Sequence, residues 1–122
     1  MRALLTAGAI LAAAATAGPV SATDLTGDYA AEGACPAPMN NRYRGTLTIR
    51  SSGIFHTLTW RVGDETILGT GMEHEGRMVI EFRFPSGQTG LMGMYRNGAG
   101  WRGNWAVHGA EILCSETWTP AR

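Results

Sequence analysis

The sequence contains no lysine, and its ten arginines are balanced by ten acidic residues. Without an excess of positive charge there is no basic surface to attract nucleic acid or an anionic membrane, so we predict neither as a partner. The sequence also lacks the motifs of phosphate-binding loops, nucleophile elbows, zinc proteases and four-ligand cysteine sites. We therefore predict no catalytic residues, no metal and no cofactor.

Cysteine is scarce, since the chain has only Cys35 and Cys114. In an exported protein an even pair of cysteines indicates a disulfide. This one would close a loop of about 80 residues and stabilise the fold by on the order of 4 kcal/mol in the chain-entropy description. A free or metal-binding pair is the alternative.

Residues 1–22 resemble a secretory signal peptide. A positively charged start is followed by an apolar run that ends in the small residues from Val20 to Ala22, the pattern of a cleavage site. The apolar run is shorter than the roughly 20 residues of a spanning helix, so we expect its removal rather than a membrane anchor. We predict that residues 23–122 form one domain, periplasmic or secreted, with no membrane span after processing.

The chain after residue 22 shows no apolar repeat at helical spacing. Instead, 15 of the 17 glycines fall there and turn signals recur every 8 to 12 residues or so, which predicts an all-β domain. Alternating apolar and polar residues predict eight short strands: 25–33, 43–50, 54–62, 65–72, 77–84, 89–96, and two within 100–120 on either side of His108-Gly109.

Eight consecutive short strands joined by tight turns favour an antiparallel up-and-down barrel, because closure removes the exposed sheet edges. Cys35 lies just past the first strand and Cys114 lies in the last, so their disulfide would close the barrel. A two-sheet sandwich could hold the same cysteines across its core and stays an alternative. The outward Arg44 and Thr48 argue against an outer-membrane barrel, whose outer face is apolar.

Two resemblances support this fold. The segment Gly27 to Tyr29 on the first strand, together with the recurring glycine and aromatic pairs, resembles avidin-like and lipocalin-like barrels. Nearly all of residues 23–122 also resembles short exported bacterial proteins of unassigned function. Both resemblances imply a fold more than an activity, and the biotin-contacting residues of avidins have no match here. The second resemblance rests on the patterns Tyr43-x-Gly45-x-Leu47-x-Ile49, Trp60-x-Val62-Gly63, Gly69-x-Gly71, Gly103-x-Trp105 and Glu116-x-Trp118-Thr119-Pro120.

Aromatic side chains and two polar residues are expected inside the barrel. A buried carboxylate must be paired or protonated, so Glu116 needs an arginine, a tyrosine hydroxyl or His56 beside it. The two polar residues form either a structural network or a pair that orients a ligand. The candidate residues of the ligand-binding wall are Tyr29, Tyr43, His56, Trp60, Tyr95, Trp101, Trp105, Glu116 and Trp118.

Two functions remain open. The first is an exported, non-catalytic module that binds a small apolar or aromatic ligand in the barrel mouth, provided that the aromatic residues do not fill the interior themselves. The alternative is an inhibitor or immunity-type protein that binds an exported enzyme through the loop 35–41. An enzyme is the least favoured reading. The protein is predicted to be a monomer, or a homodimer formed through the outward side chains of Phe55, Met92 and Met94.

Overall fold

A computed structural model describes residues 23–121, which form a closed barrel of eight antiparallel strands. Each strand pairs with the next along the chain, and the last pairs with the first. The predicted fold class is confirmed, while the predicted signal peptide lies outside the described residues. The strands are β1 Gly27–Cys35, β2 Asn41–Ser52, β3 Phe55–Val62, β4 Glu65–His74, β5 Arg77–Arg83, β6 Thr89–Asn97, β7 Gly100–Val107 and β8 Cys114–Pro120.

The closure of the barrel takes the predicted form. β1 pairs with β8 through six residue pairs, from Tyr29 and Pro120 to Ala34 and Ser115. The disulfide between Cys35 and Cys114 joins the end of β1 to the start of β8, 79 residues apart in sequence. A sandwich would leave β1 and β8 in edge positions, so the closed ladder excludes that alternative. The described residues contain no helix long and apolar enough to cross a membrane.

The interior follows from strand alternation, which sends every second side chain inward. Burying each large apolar side chain contributes about 1.5–3 kcal/mol to the hydrophobic stabilisation of the fold. His56 and Glu116 are buried among them, as predicted, with 1% and 4% of their surfaces exposed. The largest fully buried side chains are Trp101, Trp118, Leu47, Ile49, Leu58, Met78, Ile80, Met94 and His56.

The orientation predicted for β6 is wrong. Met94 and Met92 point inward, because they pair with the inward Met78 and Ile80 of β5 and paired residues share a face. Tyr95 consequently lies outside the barrel, with 56% of its surface exposed.

This orientation removes the methionines of β6 from any dimer surface. Phe55 is exposed as expected. It heads an outer row of paired residues that continues through Met72 and Val79 to Gly93.

The two ends of the barrel differ. The turns 53–54, 75–76 and 98–99 lie at one end, where the segment before β1 folds across the opening and buries Leu25. We call this the closed end. The loops 36–40, 63–64, 84–88 and 108–113 lie at the other end, which we call the open end.

Candidate functional site

A cavity of about 300 Å³ occupies the open end of the barrel. Its lining is mostly apolar and comes from inward residues of all eight strands, together with Met39 in the loop after β1 and Phe84 in the loop after β5. One buried carboxylate, Glu116, contributes to the lining, and an exposed one, Glu65, stands at its rim. The aromatic side chains in the lining are Tyr43, Trp60, Phe82, Phe84 and Trp105.

The aromatic wall is held by ring-to-ring contacts. The Phe82 ring centre lies 5.5 Å from that of Phe84, 5.7 Å from that of Trp105 and 6.5 Å from that of Trp60. All three pairs meet edge to face, an arrangement that contributes about 0.5–1.5 kcal/mol per pair beyond burial. These contacts fix the rings around the cavity rather than letting them collapse into it.

Glu116 lies where three hydrogen-bond donors converge. Trp60 Nε1 and Trp118 Nε1 donate to its Oε2 at 2.8 and 2.6 Å. The Tyr43 hydroxyl donates to its Oε1 and accepts a hydrogen bond from Trp105 Nε1 at 2.7 Å. Three of the four tryptophans therefore direct their N–H groups at this carboxylate, two directly and one through Tyr43.

The glycines beside Glu116 make room for these donors. Glu116 pairs with Gly33 on β1 and with Gly103 on β7. Gly33 in turn pairs with Tyr43, and a Cβ atom on Gly33 would overlap the Tyr43 hydroxyl. The absence of a side chain at Gly33 is what lets the tyrosine reach across β1 to the carboxylate.

Burial dominates the electrostatics of the site. Removal from water raises the pKa of Glu116, and the three donated hydrogen bonds partly offset this shift because they stabilise the anion. Burial, followed by the nearby carboxylate, raises the pKa of Tyr43 far above its ordinary value, so its hydroxyl remains a donor. Within the described residues 23–121, the cavity lining contains neither an arginine nor a histidine.

The structure brings together some of the predicted wall residues and separates others. Tyr43, Trp60, Trp105 and Glu116 line the cavity, whereas Trp118 donates a hydrogen bond to Glu116 from outside the lining. Tyr29, His56 and Trp101 belong to the closed end, and Tyr95 lies outside, where Arg77 stacks on its ring at 5.7 Å. Glu116 finds the predicted tyrosine hydroxyl rather than His56.

His56 belongs to a separate network. Its Nδ1 lies 2.8 Å from the Ser51 hydroxyl, which also accepts the backbone N–H of Leu25 at 2.8 Å. Burial lowers the pKa of His56, although the carboxylates of Glu73 and Asp24 oppose the shift. His56 is therefore a neutral structural residue of the closed end, and the expected pair with Glu116 does not form.

Sequence reasoning missed part of the cavity lining. Phe82 and Phe84 line the cavity but are not among the predicted wall residues, and Met92 lines it although it was predicted to point outward. The register between β5 and β6 decides which face of β6 points into the barrel beside Phe82. Alternation within a strand contains no information on the register between strands. The sequence feature that could have pointed to the site is Gly33, which pairs with Tyr43 across β1 and β2.

No protein-family model matches the chain, and no curated protein matches it. Solved structures with the same fold do. A de novo designed fluorescence-activating β-barrel matches with a TM-score of 0.62 and 12% identity, over 84% of this chain and all of that one. A fatty acid transporter, REP1-NXSQ, matches with a TM-score of 0.54 and 11% identity, over 80% of this chain and 96% of that one.

The fatty-acid-binding protein 1 of Echinococcus granulosus also matches, with a TM-score of 0.50 and 11% identity, over 80% of this chain and 98% of that one. At these identities the likeness establishes the eight-stranded barrel and nothing finer. It agrees with the lipocalin-like architecture that the sequence predicted.

Proposed function

We propose that this protein is an exported, non-catalytic module that binds a small apolar or aromatic ligand at the open end of its barrel. The observation that carries the proposal is the cavity of about 300 Å³, held open by an aromatic wall around a single buried carboxylate. Small-molecule sites have this composition, mostly apolar with a few placed polar groups, and this volume lies at the lower end of their range.

The chemistry of the lining favours binding over catalysis. Among residues 23–121 the cavity is lined by no serine or histidine, and its one cysteine, Cys35, is held in the disulfide. Glu116 already accepts three hydrogen bonds, which suits a fixed recognition group better than a proton carrier. The barrels similar to this one include a protein titled as a fatty acid transporter and one titled as a fatty-acid-binding protein.

Export is the second part of the proposal. The signal-like pattern of residues 1–22 supports it, and so does the Cys35–Cys114 disulfide, since disulfides persist mainly in oxidising compartments. Intact mass measurement of the protein recovered from its host tests this directly. We expect a mature chain that begins at Thr23 and is lighter than the reduced form by the mass of two hydrogen atoms. A full-length chain with free thiols in the cytoplasm would contradict export.

Binding can be tested with N-phenyl-1-naphthylamine, an uncharged aromatic probe whose fluorescence rises in apolar sites. We expect saturable binding to the wild type. Val62→Trp, which adds bulk to a side chain of the cavity lining, should abolish it. Val79→Trp makes the same change on the outer face, where Val79 is 64% exposed, and should leave binding intact. Equal binding by both variants would overturn the cavity as the binding site.

Native mass spectrometry of protein taken from its host without refolding complements the probe. A small adduct that is lost on denaturation would identify the natural ligand. A co-purifying protein in place of an adduct would favour the alternative, an inhibitor or immunity-type function.

The exposed Met39 supports that alternative, since it lies on the loop between β1 and β2, beside the disulfide. Backbone hydrogen bonds from Met39 and Asn40 to Pro36 at 3.0 and 3.1 Å hold the loop in a fixed shape. Met39→Asp should then abolish binding of the partner protein.

A further inference from the structure

Among residues 23–121, the charged side chains that line the cavity are both acidic. Glu116 lies in its lining and Glu65 at its rim, and no arginine or histidine accompanies them. Within residues 23–121 the salt bridges join Arg44 to Glu32 and His74 to Glu75, all four on the surface. The buried carboxylate therefore has no cationic partner in the part of the chain that the structure describes.

An anion without a counter-charge is an unusual group to bury. Transfer of a carboxylate from water into a protein interior carries a large penalty, which an opposite charge ordinarily offsets. Here neutral dipoles offset it instead: two indole N–H groups and one tyrosine hydroxyl. They occupy three of the oxygen lone pairs but bring no positive charge to the cavity.

The hydrogen bonds also leave one acceptor position open. A carboxylate offers about four lone-pair sites, two on each oxygen. Trp60 and Trp118 use both sites on Oε2, whereas Oε1 accepts only from Tyr43. One site on Oε1 is thus left for a donor that the protein itself does not supply.

The aromatic wall around Glu116 suits a positively charged donor. Tyr43, Trp60 and Trp105 stand around Glu116, and the faces of such rings attract organic cations. A ligand with an anionic head, such as a fatty acid, would instead bring its carboxylate toward Glu116. We therefore do not expect this cavity to prefer fatty acids, although the fold is similar to that of two fatty-acid barrels.

We propose that the ligand is a protonated amine on a small apolar or aromatic body, with its ammonium group donating to Glu116 Oε1 among the surrounding rings. This inference rests on the proposed function, because it names the chemical class that the cavity accepts. The body of the ligand occupies the apolar lining beyond Glu116, and the exposed carboxylate of Glu65 favours the approach of a cation.

Three ligands of one shape and different charge test the proposal: 1-naphthylmethylamine, 1-naphthylmethanol and 1-naphthoic acid. Isothermal titration calorimetry at pH 7 should show the amine binding about tenfold to a hundredfold more tightly than the alcohol, with the acid weakest. This comparison uses the wild-type protein, so it does not depend on the folding of any variant. Equal affinities for amine and alcohol, or a preference for the acid, would overturn the inference.

The variant Glu116→Gln assigns the preference to one group. It keeps the shape of the side chain and removes its charge, so we expect the amine to fall to the affinity of the alcohol, which itself should change little. Glu81→Gln makes the same substitution on the exposed outer face and should leave all three affinities unchanged. If the amine preference survives in Glu116→Gln, the cation is recognised elsewhere and the assignment fails.

The outcomes separate the two proposals. If the uncharged N-phenyl-1-naphthylamine binds and the amine has no advantage, the cavity binds ligands but not by charge. If neither that probe nor any naphthyl compound binds, the proposed function itself fails.

Discussion

The two ends of the barrel bury ionisable groups in different ways. At the closed end, His56 is neutral and bonded to Ser51, and its Nε2 has no partner among the described residues; the same holds for Trp101 Nε1. At the open end, the indole N–H groups of the cavity region all find acceptors in Glu116 or Tyr43. The closed end thus leaves polar atoms unpaired beside a neutral histidine, whereas the open end buries a carboxyl group and surrounds it with donors.

This difference supports the proposed ligand site at the open end. Burial of Leu25 and packing around Trp101 account for the closed end as a structural plug. Packing alone does not account for Glu116, since an apolar residue of similar size would fill its position without a desolvation cost. Changes at each end should therefore separate stability from ligand binding.

Loss of the disulfide should have the largest effect, and it should fall mainly on the open end. The double variant Cys35→Ser/Cys114→Ser releases a loop of 79 residues, which should lower the free energy of unfolding by on the order of 4 kcal/mol. Urea unfolding measures the total. Hydrogen exchange should show earlier opening of amides near residues 35 and 114 than of those near 49 and 58, and uniform loss of protection would contradict a local role.

Leu25→Ala should affect stability alone. Leu25 is 4% exposed, and its removal from the closed end leaves a cavity that costs about 2–3 kcal/mol. Binding of N-phenyl-1-naphthylamine at the open end should not change under conditions where the variant is folded. A weaker affinity would show that the two ends are coupled through the barrel.

Gly33→Ala should do the reverse and damage the site more than the fold. The added methyl group overlaps Tyr43 and displaces its hydroxyl from Glu116, with a cost in stability of about 1–3 kcal/mol. Ligand binding should be lost even where circular dichroism shows a folded barrel. Ala34→Ser, on the outer face of β1, is a suitable control. Gly27→Ala is not, because the φ of 151° at Gly27 is unfavourable for alanine.

The sequence predicted the frame of this molecule better than its site. Strand alternation, the recurring turn signals and the cysteine positions are local signals, and they led to eight strands and the correct closure. The orientation of β6 failed because apolar residues occupy both of its faces. The donors on Glu116 come from positions 73, 56 and 2 residues away, so they depend on the register and curvature of the closed barrel, which no local pattern specifies.

The smallest expected effects are on the pH dependence of stability, where the two buried groups act in opposite directions. His56 has a lowered pKa in the folded state, so the unfolded chain takes up its proton first and stability falls as the pH drops below about 6.5. Glu116 has a raised pKa, so the folded state holds its proton more tightly. Its contribution to stability is fully present below about pH 4.5 and decreases as the pH rises above that value.

Urea midpoints at pH 7 and pH 5 separate these contributions, each limited to about 1.4 kcal/mol per pH unit. On acidification, His56→Gln should lose less stability than the wild type, and Glu116→Gln should lose more. The variant Glu81→Gln makes the same substitution on the exposed outer face and serves as the matched control. If Glu116→Gln instead follows the wild type, the three donors hold the pKa of Glu116 near its ordinary value. The carboxylate would then be mostly charged at both pH values, and an amine ligand should bind nearly as well at pH 5 as at pH 7.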